Sequence, residues 1–148
     1  MKISLVNPLE VDKKIIDNHK EKLEEMGHEF IAYEDNAKDD NELIERLKDT
    51  DIAIVTNKPL SAKVIDASKN LELIDVAFTG VDHIDLDAVK ANGITLLNAS
   101  GYSDDSVAEL VIGLTIAVMR KFNANKANIF DGQSYNLMGE TLSLIHIS

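Results

Sequence analysis

Cysteine is absent from this chain, and that absence narrows its chemistry. Its 148 residues also contain no tryptophan and only two prolines. Without cysteine there are no disulfides and no thiolate metal sites, which fits a reducing cytoplasm. The histidines are scattered without ligand spacing: His19, His28, His83 and His146. We therefore expect a cytoplasmic protein without a metal site.

Positive charge and long apolar runs are also scarce. The chain has 15 basic and 26 acidic residues, for a net charge of −11. With so few cations we expect neither nucleic acid nor an anionic membrane as a partner. The longest apolar run, residues 107–119, falls short of the roughly 20 residues that span a bilayer. The apolar run at the N-terminus is too short for a signal peptide. We expect no targeting or membrane-spanning segment.

Short apolar strands alternate with helical segments over the first hundred residues. Strands are predicted at residues 3–6, 30–33, 52–56, 71–78 and 94–97. Helices are predicted at residues 11–26, around 43–47, after a capping Ser61, and at 86–91. This alternation is typical of βαβ units in a parallel sheet. The fold class predicted is α/β, a flavodoxin-like doubly wound sheet, with the strand order taken by analogy.

The sequence of the first predicted helix indicates both its buried face and the residue at which it ends. Four apolar residues are expected on its buried face: Ile15, Ile16, Leu23 and Met26. Gly27 is the expected left-handed residue at its end.

Past residue 98 the character of the sequence changes. Ser103 is a good N-cap, and Asp104 and Asp105 suit the positive end of a helix dipole. Residues 107–119 are apolar around nearly the whole circumference of the predicted helix. Such a helix must be buried on all sides, so we expect another domain or subunit against it.

The fourth strand runs into a turn of small residues, Thr79 and Gly80. Ligands of open α/β sheets bind beyond the carboxyl ends of the strands, where backbone N–H groups can hold an anion. A local explanation stands beside this one. Gly80 could merely permit a positive φ, and Thr79 could cap the next helical turn. Both explanations can hold at once.

Several motifs in order resemble the NAD-dependent D-isomer-specific 2-hydroxyacid dehydrogenases. They are Thr-Gly-Val-Asp-His-Ile-Asp at residues 79–85, Asn-Gly-Ile at 92–94, Asn-Ala-Ser-Gly-Tyr-Ser at 98–103, Ser-Val-Ala-Glu at 106–109, and Gly-Leu at 113–114. The turn at residues 57–61 is similar to that of glycerate-dehydrogenase-like members. The resemblance implies hydride transfer between NAD(H), with NADP not excluded, and a small D-2-hydroxy or 2-keto acid.

The resemblance also implies a domain organisation. Residues 1–100 would be the first pass of the substrate domain. Residues 101–148 would hold a crossing helix and the incomplete start of a Rossmann-type NAD-binding domain. The crossing helix, residues 103–121, would make a homodimer.

Site residues follow from the same resemblance. For the substrate it implies Thr79, Gly80, Tyr102 and Lys58. For the cofactor it implies Thr79, Val107 and Ser106. Ordinary roles compete with these: core for Val107, hinge packing for Tyr102, a solvated side chain for Lys58, and a first-turn hydrogen bond for Ser106. For His83, within the turn motif, a surface or capping role is expected.

One departure from the family pattern concerns catalysis. Residues 139–142 match the start of the first nucleotide-domain strand, but no Gly-x-Gly-x-x-Gly loop follows. The arginine, glutamate and histidine that catalyse in the family lie downstream, so no catalytic residue is expected in this chain. We expect a truncated, inactive fragment in which residues 142–148 are foreign sequence; the alternative is a genuine short strand.

Two other functions compete with the dehydrogenase. A non-catalytic, NAD-regulated binding module, like the family's corepressor branch, would need a partner-recruiting groove or tail, and none is visible in the sequence. A phosphoacceptor receiver domain would need an acidic pair after the first strand and an aspartate after the third. Asn7-Pro8 and Thr56-Asn57-Lys58 stand there instead, which excludes the receiver.

Overall fold

A computed structural model describes residues 1–132 of the chain. They form two compact units: the first is Met1–Gly101, and the second begins at Tyr102. The predicted start of a nucleotide-domain strand at 139–142 and the predicted foreign tail at 142–148 lie outside the described residues.

The first unit is built on five parallel strands. Their bounds are β1 (Lys2–Leu5), β2 (Glu29–Ala32), β3 (Ile52–Val55), β4 (Leu73–Val76) and β5 (Thr95–Asn98). The strand order is β2-β1-β3-β4-β5, with every neighbouring pair parallel. This order confirms the predicted flavodoxin-like doubly wound sheet.

Four helices connect the strands, and two more form the described part of the second unit. In the first unit they are α1 (Lys13–Glu25), α2 (Asp40–Leu47), α3 (Ala62–Ala67) and α4 (Leu86–Ala91). In the second unit they are α5 (Asp104–Met119) and α6 (Phe122–Phe130). α4 has the predicted bounds because Asp85 caps its first turn, with its carboxylate accepting from the Ala88 N–H at 2.9 Å, and Gly93 takes a φ of 67° just past its end.

The sheet has an apolar cluster on each face. Along β3 the side chains alternate, with Ala53 and Val55 in the larger cluster and Ile52 and Ile54 against the smaller one. The larger cluster also holds buried residues of α2, α3 and α4, while the smaller one packs against α1. Strand β3 is therefore packed on both sides, as an interior strand of a doubly wound sheet must be.

The buried face predicted for α1 is narrower than expected. Ile16 and Leu23 pack on the smaller cluster, but Ile15 is 48% exposed and Met26 is 70% exposed. The prediction was wrong for these two. Ile15 lies roughly 80–100° and Met26 roughly 60–80° around the helix from the stripe that Ile16 and Leu23 share, and Met26 also stands just past the last residue of α1. Gly27 ends the helix as predicted, with a φ of 82°.

Ser61 precedes α3 as predicted, but its hydroxyl does not cap the helix. The hydroxyl donates instead to the carboxylate of Asp40 at 2.8 Å. The N–H groups of Val64 and Ile65 bond to the backbone carbonyl of Ser61. With those donors already satisfied, the hydroxyl is free to take the stronger, charged acceptor.

The apolar helix α5 is exposed in the described part of the chain. Val107 is 53% exposed and Val118 is 77% exposed, and no side chain of the helix is buried. The apolar composition of α5 requires another domain or subunit packed against it, and that partner stays a prediction. Within residues 1–132, no helix has both the length and the apolarity needed to cross a membrane.

Arg46 ties the first unit together from inside. Its side chain is 5% exposed, and one guanidinium nitrogen donates to the carbonyls of Val6 at 2.9 Å and Asp35 at 2.7 Å. The other donates to the carboxylates of Asp35 and Glu42, and the guanidinium lies over the ring of Tyr33 at 4.3 Å. This one side chain therefore joins the end of β1 to α2 and to the loop before it.

Two hydrogen bonds, the second of them from Arg46, keep Glu42 charged. Its pKa lies below the ordinary value of 4.5, first because the Lys38 N–H bonds to the carboxylate and then because Arg46 does. A lowered pKa contributes stability above the unfolded pKa, and that contribution is lost as the pH falls through the folded value.

We predict that Arg46→Gln lowers the free energy of unfolding by about 2–4 kcal/mol, because it leaves a buried carbonyl and two carboxylates without their donor. Urea denaturation followed by circular dichroism measures this. The control is Arg120→Gln, an exposed position at the end of α5, where a change within about 0.5 kcal/mol is expected. Equal effects at the two positions would contradict the role of Arg46.

Candidate functional site

The turns that follow β3 and β4 lie side by side at the carboxyl edge of the sheet. The pairing of these strands is continued past β4 by the N–H of Ala77, which donates to the carbonyl of Val55 at 2.9 Å. Beyond this bond the chain leaves the sheet in both strands. Lys58, Thr79 and Gly80, three of the predicted site residues, belong to these two turns.

The turn at Thr79 and Gly80 has free backbone donors. Both residues are exposed, and neither N–H makes a hydrogen bond within residues 1–132. The turn is held from its other side, where the Asn98 side-chain amide donates to the Thr79 carbonyl at 2.7 Å and the Thr79 hydroxyl donates to the Ala99 carbonyl at 3.4 Å. β5 thus orients the turn without using its N–H groups.

The local explanation of this turn is wrong. The φ of Gly80 is not in the left-handed region, and the Thr79 hydroxyl caps no helix. A Cβ added at Gly80 would meet no atom closer than a carboxylate oxygen of Asp82 at 4.0 Å. Neither the backbone conformation nor the packing within the first unit requires glycine at position 80. Because glycine has no side chain, the N–H groups of Thr79 and Gly80 stay open to a ligand.

Lys58 adds a cation to the turn that follows β3. Its side chain is exposed and forms no ion pair within the described part of the chain. The N–H groups of Asn57 and Lys58 also lack partners among residues 1–132. Backbone donors from two neighbouring turns and one ammonium group suit a small anion such as a carboxylate.

The other predicted site residues belong to the second unit. Tyr102 is 64% exposed, and Ser106 and Val107 are exposed in the first turns of α5. The Ser106 hydroxyl makes no hydrogen bond within residues 1–132, so the first-turn hydrogen bond considered for it is wrong. Val107 packs in no core among those residues. A shared site with Thr79 and Gly80 stays a prediction.

The histidine of the turn motif is not a surface group throughout. His83 is half-buried, its Nε2 atom is buried without a partner, and its side chain makes no hydrogen bond within the described residues, so the expected capping role is wrong. Residues 1–132 hold no group of three or more histidine, cysteine, aspartate or glutamate side chains placed to bind a metal ion.

Two polar residues at this edge escaped the sequence reasoning. Asn7 and Thr56 follow β1 and β3, and each is 4% exposed. In the sequence analysis these two residues served only to exclude a receiver domain. The pattern that could have identified them is a polar residue directly after an apolar strand, because ligand sites of doubly wound sheets form there.

Comparison with known proteins identifies the family. The family model described as D-isomer specific 2-hydroxyacid dehydrogenase, catalytic domain, matches residues 9–141. Glycerate dehydrogenase of Methylorubrum extorquens is 34% identical over 131 residues, which cover 80% of this chain and 41% of that protein. The chain thus spans about two fifths of the length of this relative.

Solved structures agree with the family match. An acyclic imino acid reductase in complex with NADPH and D-Arg is 32% identical, with a TM-score of 0.78 over 91% of this chain and 42% of that one. The formate dehydrogenase of Staphylococcus aureus in complex with NAD is 29% identical, with a TM-score of 0.76 over 91% of this chain and 43% of that one. The chain therefore belongs to the family of D-isomer-specific 2-hydroxyacid dehydrogenases.

Proposed function

We propose that this chain belongs to a cytoplasmic oxidoreductase that transfers a hydride between NAD(H) and a small D-2-hydroxy or 2-keto acid. Its part is to hold the carboxylate of that acid. The observation that carries the proposal is the pair of N–H groups at Thr79 and Gly80 that have no partner within the described residues. Glycine at position 80 leaves them accessible, and the packing of the first unit does not otherwise need a glycine there.

Carboxylate binding serves hydride transfer by positioning. A substrate gripped at one end presents its second carbon to the nicotinamide in a fixed orientation, which removes part of the entropic barrier. The reaction also needs a proton donor and a cation at the developing oxyanion. We assign neither role to this chain: Arg46 is buried in internal contacts, and His83 buries its Nε2.

NAD is the cofactor that we propose, since solved relatives hold NAD or, in the imino acid reductase, NADPH. Within this chain Thr79, Ser106 and Val107 would contact the cofactor. Their exposure suits that role, with an apolar surface at Val107 and hydroxyl groups at Thr79 and Ser106. The nicotinamide would supply the hydride.

We predict that residues 1–148 alone show no turnover with NADH and glyoxylate, hydroxypyruvate or pyruvate, because the acid–base group and the cation would come from another part of the enzyme. Loss of NADH absorbance measures this. A lactate dehydrogenase in the same buffer is the positive control. Turnover by the 148-residue chain would overturn the division of roles proposed here.

The carboxylate grip itself is tested by titration. We expect glycolate to shift the amide NMR signals of Thr79 and Gly80 with a dissociation constant of about 1 mM or weaker, because two amides and one lysine bind without a closed pocket. Glycolamide, which lacks the charge, should leave these signals in place. Equal shifts from both compounds would contradict an anion site.

Gly80→Ala separates binding from folding. The substitution introduces no clash within the first unit, so the stability should stay within about 1 kcal/mol of the parent, while glycolate binding weakens at least about tenfold. Gly113→Ala, in open space on α5, is the matched control and should bind glycolate as the parent does.

We further propose a homodimer formed through α5. The exposed apolar side chains of that helix leave a surface that water disfavours. Leu114→Glu, at a position 57% exposed, should shift sedimentation toward the monomer. Met26→Glu, 70% exposed on the first unit, should not. A parent chain that stays monomeric at high concentration would argue against the dimer.

A further inference from the structure

Most buried polar side chains of the first unit are paired inside it. The described residues bury six: Ser4, Asn7, Arg46, Thr50, Thr56 and Ser68. The hydroxyls of Ser4 and Thr50 bond to each other at 2.8 Å, and Thr50 also lies 3.2 Å from the Arg46 carbonyl. Ser68 donates to the Val64 carbonyl at 2.8 Å. The fold itself explains these four.

Asn7 and Thr56 are the exceptions. The Thr56 hydroxyl makes no hydrogen bond within residues 1–132 although the residue is 4% exposed. Asn7 makes one long contact, from its side-chain nitrogen to the Asn36 side-chain oxygen at 3.4 Å, and its own side-chain oxygen has no partner there. Neither residue is among those whose unpartnered polar atoms are sealed from solvent. Both therefore keep a reachable polar atom on a buried side chain.

Within the described residues the fold makes no use of these two polar atoms. Valine has the same shape as threonine and would fill position 56 without presenting a hydroxyl that no described protein group binds. Threonine at position 56 is thus not explained by packing. A ligand that hydrogen-bonds to it would explain it.

The sheet places the two residues next to each other. The β1–β3 register pairs Leu5 with Ile54, and the Val6 N–H continues it to the Ile54 carbonyl at 3.0 Å. Continued by two residues past Leu5 and Ile54, the same register would bring Asn7 opposite Thr56. β1 and β3 are also the strands where the winding of the sheet reverses, which is where doubly wound folds bind ligands.

Thr56 is within reach of an acid held at Gly80. Continued by one residue past Val55 and Val76, the β3–β4 register places Thr56 opposite Ala77, three residues before Gly80. An extended chain would separate Thr56 from Gly80 by roughly 11 Å, from about 10 Å along the chain and about 5 Å between the strands. A hydroxyl on the third carbon of an acid lies about 4–5 Å from its carboxylate, and two hydrogen bonds add roughly 6 Å. The spans agree.

We propose that Thr56 and Asn7 form a neutral polar floor that selects 2-hydroxy or 2-keto acids with a hydroxyl on the third carbon. The inference rests on the proposed carboxylate grip. A hydroxyl and an amide offer donors and acceptors without charge, which suits a neutral substituent and disfavours a phosphate. An alkyl substituent would leave both groups unpaired.

D-glycerate and D-lactate test the floor, because they differ by that single hydroxyl. The full 148-residue chain is titrated with each acid, and the shift of the Gly80 amide signal gives both dissociation constants. We expect the chain to prefer D-glycerate by roughly fivefold, as one hydrogen bond allows. Thr56→Val should abolish the preference by weakening D-glycerate alone, and Thr56→Ser should keep it. Thr95→Val, exposed at the opposite end of β5, is the matched control.

Unfolding by urea supplies a readout independent of binding. Thr56→Val should leave the midpoint unchanged or raise it, whereas Thr50→Val should lower it by breaking internal hydrogen bonds. If Thr56→Val lowers the midpoint as much as Thr50→Val, Thr56 serves the fold and the inference is overturned. Equal affinities for the two acids overturn the floor but leave the carboxylate grip standing. If neither acid shifts Gly80, the grip itself fails, and the floor falls with it.

Discussion

A backbone N–H group is stable only with a hydrogen-bond partner, either in the protein or in the solvent. In this chain the extent of the parallel sheet determines which N–H groups have no partner among the described residues. The ladder between β3 and β4 ends at the bond from Ala77 to Val55. Past that bond the N–H groups of Thr79 and Gly80 have no acceptor within the described residues, while the carbonyl of Thr79 is held by Asn98. A turn with free donors is thus a direct product of where the strand pairing stops.

The sheet and its order were predictable because apolar runs, caps and glycines all indicate the same architecture. α4 shows this best, since Asp85 and Gly93 fix both of its ends. The width of a buried helix face was harder to predict from the sequence. Periodicity placed Ile15 and Met26 on the buried face of α1, and both are exposed. Arg46 was invisible as a core residue because a charge on a helix carries no apolar signal, and its burial depends on acceptors from three separate segments.

The candidate site divides in the same way. Thr79, Gly80 and Lys58 were accessible from the end of an apolar strand and from the family resemblance. What the sequence could not show is that Gly80 lacks any local need for glycine, because φ and the space around a missing Cβ exist only in three dimensions. Asn7 and Thr56 were missed for a related reason. Burial of a polar side chain follows from its neighbours in the sheet, not from its own identity.

Within one family, the proposed grip with variable surroundings would explain diverse substrates. The chain resembles a glycerate dehydrogenase, a formate dehydrogenase and an imino acid reductase, proteins whose names state different substrates on one fold. A grip made of backbone N–H groups survives changes of side chain, so it can be shared. Discrimination must then come from side chains that neighbouring strands bring to the same edge, and these are free to vary only where the fold does not need them. Thr50 is needed by the fold and is fully paired, whereas Thr56 is not, which makes position 56 a place where selection can act on the ligand alone.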